Sequence, residues 1–349
     1  MSNDKNGIFN STVLITGATG FIGGLLTNEL ISMNTLHNAG IKLVFPVRNL
    51  QKARDKYPSR EDRNKCITFI EESLEEIHPN RFDMPIDYII HCASVTKSSI
   101  MISNPVEVLD GIVIGTKNIL DLARHKRVKS MVYLSSMEVY GVIENGECLV
   151  TEDMLGDLGI FSARSCYPLG KRIAEHYCYI YHKEHELPVK IARLAQIFGY
   201  GIDPNDSRVF AQFARSVCRN EDIILHTEGL SEGNYCESQD AVNALLKILI
   251  DGQDGEAYNV VNEENTMRIR DMAKLVADKI ALGKINVIYD IPKDISYGYA
   301  ADTNIRLSSE KLRKLGWKPT KNLEDMYRDL IIGLGQQDAK FHIKDHNSN

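Results

Sequence analysis

Tyr167 and Lys171 stand four residues apart in R-S-C-Y-P-L-G-K-R-I-A-E, a segment with a helical pattern. On a helix that spacing puts both side chains on one face, so an ammonium can lie near the phenol and favour phenolate. A phenol with an ordinary pKa near 10 is a poor base at neutral pH. Beside Lys171, Tyr167 could exchange a proton with a substrate hydroxyl. Some thirty residues earlier the apolar run M-V-Y-L-S-S leads into M-E-V-Y-G. Ser136 is expected to hold that hydroxyl, and Glu138 is the only acid of the motif. A Tyr-x-x-x-Lys pair alone is common on surfaces, and its weight comes from what precedes it.

What precedes it is Gly17, Gly20 and Gly23, spaced G-x-x-G-x-x-G between the apolar run V-L-I-T and the apolar stretch I-G-G-L-L-T-N-E-L. In a strand-to-helix turn the first glycine permits the tight turn, the second lets backbone approach a pyrophosphate, and the third lets helix and strand pack. The phosphates of a dinucleotide would then meet the helix N-terminus. Thr19, Phe21 and Ile22 complete this cradle. The second apolar run ends V-F-P-V-R-N and places Arg48 at a position where a site preferring NAD usually carries an acid. A guanidinium pairs with a 2′-phosphate, so Arg48 tilts the choice from NAD towards NADP(H); the alternative is a solvated arginine at a strand end.

Short apolar runs alternating with longer helical segments position these residues, the signature of βαβ winding and a doubly wound parallel sheet. Strands are predicted over Thr12–Thr16, Lys42–Pro46, Cys66–Ile70, Tyr88–Cys92, Ser130–Ser135, Val189–Leu194 and Ala257–Val261. Helices are predicted over Ile22–Ser32, Pro105–His125, Pro168–Glu186, Arg208–Arg219, Ser238–Ile250 and Ile269–Ala281. Loops and short elements dominate from Gly199 to Tyr235 and from Asn286 to Pro319, which suits a smaller lobe, with a ligand cleft between lobe and strand ends. A flexible leader is expected over residues 1–11 and a polar tail over 336–349.

The chain has 349 residues, 43% apolar, with a formal charge of −6. That length permits a full core, and the charge gives no general reason to expect nucleic acid or an acidic membrane as partner. None of the seven cysteines, Cys66, Cys92, Cys148, Cys166, Cys178, Cys218 and Cys236, forms a C-x-x-C pair. A reduced cytoplasmic setting is the simplest reading, and no metal is expected. No apolar run approaches the ~18 residues of a membrane span, and the first eleven residues do not resemble a signal peptide.

Taken together, T-G-A-T-G-F-I-G, I-I-H-C-A-S, G-T-K-N-I-L, L-S-S-M-E-V-Y-G, Y-P-L-G-K, I-A-R-L-A-Q-I-F-G, Y-C-E-S-Q-D-A-V and L-G-W-K-P resemble the extended short-chain dehydrogenase/reductases of the nucleotide-sugar epimerase/dehydratase family. The resemblance runs from Val13 to Asp329. It implies a Rossmann domain over residues 12–200 and a C-terminal substrate lobe over 201–335, with some segments of the latter returning to the sheet. It also implies transient hydride transfer and often a homodimer. By the family pattern Ser136, Tyr167 and Lys171 are catalytic, and His91, Cys92 and Ala93 line the cofactor.

Subfamilies differ in the two residues after the catalytic Ser or Thr, here Met137 and Glu138. In 4,6-dehydratases the pair is Asp-Glu, and Met137 cannot protonate a departing hydroxyl. Plain 4-epimerases leave Glu138 without a task. Glu without Asp is closest to nucleotide-sugar decarboxylases, whose tyrosine segment R-S-C-Y-x-x-G-K-R is similar to Arg164–Arg172. Two arginines that the family commonly places on the substrate diphosphate are replaced, by Gly233 and Asn234 in one segment and by Thr303 and Asn304 in the other. Arg208 and Arg306 are the candidates to substitute. The sequence thus favours an enzyme acting on a nucleotide sugar through a transient ketone. An NADPH-dependent reductase and a non-catalytic dinucleotide sensor are the alternatives.

Overall fold

The computed structural model describes residues 7–58, 64–143, 149–292 and 304–346, with 336–346 as helical backbone. Cys148 and Thr303 lie outside the described residues. The first half contains β1 (Thr12–Thr16), α1 (Phe21–His37), β2 (Lys42–Val47), α2 (Leu50–Lys56), β3 (Ile67–Glu71), β4 (Tyr88–His91), α3 (Ser98–Ser103), α4 (Pro105–Lys126), β5 (Ser130–Ser136) and β6 (Leu149–Val150). There follow α5 (Cys166–His185), β7 (Val189–Leu194), β8 (Gln196–Phe198), α6 (Val209–Arg219), β9 (Ile223–Leu225), β10 (Glu232–Glu237) and α7 (Ser238–Asp251). The chain continues through β11 (Ala257–Val260), β12 (Asn262–Arg268), α8 (Ile269–Leu275), β13 (Val287–Tyr289), β14 (Arg306–Leu307), α9 (Glu310–Lys314) and α10 (Leu323–His346).

Seven strands form one sheet in the order β11-β7-β5-β4-β1-β2-β3, and every pairing in it is parallel. Burial on both faces explains why these strands read as continuous apolar runs rather than alternating ones. Val13, Ile15, Leu43 and Phe45 face α1 and α7, packing on Leu26, Leu30 and Leu245. Leu14, Ile89, Met131 and Tyr133 face α4 and α5, packing on Ile112, Ile119 and Cys178. Each fully buried leucine or isoleucine here contributes roughly 1.5–3 kcal/mol. After β1 the chain winds outward through β2 and β3, then returns to β4 on the other side of β1. This reversal opens a crevice at the carboxyl ends of β1 and β4, where ligands of such sheets bind.

The lobe packs α6, α8 and α10 over Phe198, Phe210, Tyr235 and Tyr327, with the Phe198 and Phe210 rings stacked at 4.4 Å. A three-stranded sheet, β12-β10-β8, and the parallel pair β13-β9 complete it. Phe21 at the start of α1 packs against both the sheet core and the lobe core.

Three segments have structure that the sequence reading did not assign. The leader is packed from Gly7 onward, because the apolar Ile8 is 1% exposed within the core and the Tyr88 hydroxyl donates to Gly7 O at 2.8 Å. The polar tail continues a helix as far as His346. That helix starts with Glu324 and Asp325 near its positive end and buries Met326, Tyr327, Leu330 and Leu334 on one stripe. The helix predicted over Ile269–Ala281 is α-helical only to Leu275 and continues as a π-helical turn over Val276–Ile280.

Candidate active site

The turn between β1 and α1 is built around its glycines. Gly17 has φ +67°, and a Cβ there would stand 2.9 Å from the Ala93 backbone, so this end of β4 approaches too closely for a side chain. At Gly23 a Cβ would lie 2.3 Å from Gly17 O, which fixes how closely helix and turn pack. Gly20 is the N-cap of α1, no side chain caps it, and the first turn holds no acid. Its amide groups are therefore left to bind an anion. Thr19, Phe21 and Ile22 are half-buried beside them. The Ser94 and Ser135 hydroxyls, near the carboxyl ends of β4 and β5, are buried without a partner. Native proteins seldom leave such groups unpaired, so these features fit a dinucleotide.

His91 has a different place from the one expected. Its ring is 1% exposed and lies between Thr16 Oγ1 at 2.7 Å and Thr116 Oγ1 at 3.2 Å. Burial, reinforced by Lys171, holds it neutral with a pKa of about 3. Thr16 Oγ1 also accepts from Ala93 N at 3.0 Å, so His91 braces the ends of β1 and β4, while half-buried Cys92 and Ala93 follow it.

Tyr167 and Lys171 occupy the first turns of α5, both buried. Lys171 Nζ donates to Leu134 O at 2.7 Å and lies 4.8 Å from the Tyr133 ring centre and 5.8 Å from that of Tyr167. Burial lowers its pKa to about 8, against the opposing charge of Glu175. Burial pushes the Tyr167 phenol well above its ordinary value, and the Glu138 charge adds to the rise; a hydrogen bond with Ser136 and the guanidinium groups of Arg164 and Arg208 oppose it. The Lys171 ammonium turns to Leu134 O rather than bonding the phenol, and among the described residues no hydrogen bond joins it to Tyr167. Tyr167 is protonated in this state.

Glu138 sits on a single 3-10 turn, Met137–Tyr140, whose N-cap is Ser136; the Ser136 hydroxyl accepts from Glu138 N at 3.2 Å. Its carboxylate accepts from Arg164 Nη2 at 2.7 Å, and the Arg164 guanidinium lies 5.7 Å from the Tyr167 ring centre. Arg172 anchors the same turn through Val139 O at 2.7 Å and Gly156 O at 2.6 Å. Met137 packs into the apolar cluster of Val139, Tyr140 and Leu307. Beneath the turn, Tyr140 donates to Asn259 Oδ1 at 2.6 Å, and buried Arg193 pairs with Glu175 at 2.7 Å. Sequence reasoning assigned no role to Arg164 or Arg172, although both flank Tyr167 in the segment that signalled it.

The substrate-side cations divide. Arg208, before α6, is paired with Asp206 at 2.6 Å, yet its charge reaches Tyr167. Arg306 forms a two-point ion pair with Glu232 at 2.8 and 3.0 Å, and its charge is already matched. Asn234, standing where the family commonly has arginine, is a buried clip. It donates to Ile305 O at 2.6 Å and accepts from Leu307 N at 2.9 Å. Arg48 is exposed and lines a groove of about 720 Å³ with Ser73, Glu75, Asn104, Glu107 and Asp110. Those carboxylates weigh against the 2′-phosphate that its own charge favours.

Among the described residues no helix is long and apolar enough to cross a membrane and no His, Cys, Asp or Glu cluster could hold a metal ion, and Cys92, Cys166, Cys178 and Cys236 are free thiols.

Residues 13–261 match the model of the NAD dependent epimerase/dehydratase family. The chain is 28% identical to UDP-glucuronic acid decarboxylase 6 of Arabidopsis thaliana, covering 96% of this chain and 93% of that one. It is 30% identical to UDP-glucuronic acid decarboxylase 1 of Danio rerio, over 90% of this chain and 70% of that one. Among solved structures, an epimerase of Methanothermobacter thermautotrophicus superposes with a TM-score of 0.80 at 20% identity, covering 97% and 96% of the two chains. The UDP-glucose 4-epimerase of Thermotoga maritima superposes at 0.75 with 21% identity, covering 93% and 99%. The glycine cradle, the assembled Ser136, Tyr167 and Lys171, and a family match over most of the chain converge on one conclusion: this chain is an NAD(P)-dependent enzyme of the epimerase/dehydratase family, of the extended short-chain dehydrogenase/reductase type.

Proposed function

We propose that this enzyme converts a nucleotide-activated sugar without net redox change, and that Glu138 moves a proton on the ketone formed in passing. The observation that carries this reading is the Glu138 carboxylate, close enough for its charge to act on Tyr167 and held at 2.7 Å by Arg164, next to a Met137 that cannot give a proton. When bound, the nicotinamide dinucleotide supplies reversible hydride acceptance. Gly17, Gly20 and Gly23 would hold its phosphates, with Thr19, Phe21, Ile22, Cys92 and Ala93 alongside. Ser136 would hold the substrate hydroxyl, Tyr167, whose phenol the charge of a bound nicotinium would help to ionise, would take and return its proton, and Lys171 keeps an ammonium within the same pocket.

A ketone two carbons from a carboxylate accepts the electron pair left when carbon dioxide departs. The carbon released from the carboxylate then needs one proton. Such a step needs no acid at position 137 and gives Glu138 a task. The named activity of the Arabidopsis and Danio relatives is decarboxylation of UDP-glucuronic acid, and a nucleotide-linked hexuronate is the substrate this reading favours. Arg208 is the cation best placed for the diphosphate. A homodimer in the cytoplasm belongs to the same reading; exposed Ile114 on α4 and Ile173 on α5 offer an apolar face to a second copy.

Arg48 favours a second reading, reduction by NADPH, because a cofactor recycled within one site needs no 2′-phosphate. A silent sensor is disfavoured by the complete set of Ser136, Tyr167 and Lys171. Glu138→Gln separates the readings. Redox-neutral chemistry predicts that substrate still reduces the cofactor, visible by its absorbance, while product formation falls by about 100-fold. Tyr167→Phe is expected to stop both. Undiminished product formation by Glu138→Gln would remove Glu138 from the chemistry.

A further inference from the structure

We propose that Lys56 and Tyr57, at the end of α2, are positioning residues for the dinucleotide, clasping the glycine turn from the side opposite its ligand. A turn that offers its amide groups to phosphates must direct carbonyls elsewhere, and those carbonyls need partners. Here α2 supplies them, joined at Gly20 O by the amide of Gly24 at 3.1 Å. The Tyr57 hydroxyl donates to Ala18 O at 2.8 Å, and Lys56 Nζ donates to Thr19 O and Gly20 O at 3.1 Å each. Three consecutive carbonyls are thereby fixed by two adjacent side chains. The Tyr57 ring is buried and packs against Phe45 at 5.6 Å, so the hydroxyl is held in place.

Gly24 is consistent with this placement of Lys56. It is outside the G-x-x-G-x-x-G spacing, yet a Cβ there would stand 2.5 Å from Lys56 Nζ. The helix leaves room at that position for the ammonium. Lys56 thus brings a positive charge to the turn as well as two hydrogen bonds, and its pKa is lowered by partial burial and by Lys52. The clasp acts before the ligand arrives, by reducing the conformations the turn must give up.

This inference rests on the turn being a dinucleotide site, and calorimetric titration of the full-length protein with NAD and with NADP tests the two separately. Lys56→Met is expected to weaken binding by about 10-fold or more and to flatten its dependence on salt, with Lys56→Arg recovering most of the loss. Tyr57→Phe is expected to weaken binding by about 3-fold or more while leaving the salt dependence unchanged. Rates at saturating cofactor should hold within about 2-fold for all three. Wild-type affinity and salt dependence in Lys56→Met would overturn the clasp; if that variant does not fold, unaltered affinity in Tyr57→Phe overturns it. Failure of the wild type to bind either dinucleotide would overturn the reading of the turn itself.

Discussion

Lys171 is an ammonium placed where folding disfavours its charge. Its pKa is about 8 in the fold against an ordinary 10.5, the shift being set by burial. Between these values the unfolded chain keeps a proton that the folded chain has released. Stability therefore rises with pH through that window, and the penalty is present in full below about pH 8. Lys171→Met is expected to stabilise the protein at neutral pH by about 1–3 kcal/mol, after allowing for the lost bond to Leu134 O, while abolishing activity. Urea unfolding near pH 7 and near pH 10 checks this, and the gain should shrink at the higher pH. A methionine variant less stable at both would contradict it. At this scale the sequence was legible where spacing alone decides position. Tyr167 and Lys171 do share a helix face, but no spacing shows that Lys171 Nζ turns to Leu134 O or that Arg164 grips Glu138.

Among the elements, the parallel strands were the most legible, because burial on both faces makes each a short apolar run. Thr12–Thr16 and Val189–Leu194 match the predicted bounds to the residue. The short α2 was not, since its seven residues bury only Ala53 and depend on an Asn49 cap to Lys52 N. α10 was hidden by Gly333 and Gly335, which argue against a helix when its packing stripe on the lobe is not considered. The pairing of β10 with the chain around β14 depends on Asn234, whose replacement of an arginine read as a defect in the substrate site. Asn234→Ala should cost about 1–3 kcal/mol, because Ile305 O and Leu307 N lose their buried partner. Chemical denaturation measures that cost. A loss below about 0.5 kcal/mol would mean that the clip is dispensable.

For the whole molecule, the motif L-G-W-K-P ties the segment leading into α10 to α7 on the sheet. Trp317 Nε1 donates to Asp240 O at 3.0 Å, while Asp240 accepts from Thr320 N and Oγ1 at 2.7 Å each. Phe21, next to the glycine turn, touches both cores. The central claim is that the cofactor is recycled within this cleft while a nucleotide sugar is changed. It is tested most directly by mass spectrometry of UDP-glucuronate incubated with the enzyme and a trace of NAD or NADP, with the dinucleotide quantified before and after. The account predicts many substrate conversions per dinucleotide, with loss of carbon dioxide and the oxidised dinucleotide recovered unchanged. An unchanged nucleotide sugar, or one reduced dinucleotide consumed for each product formed, would contradict it.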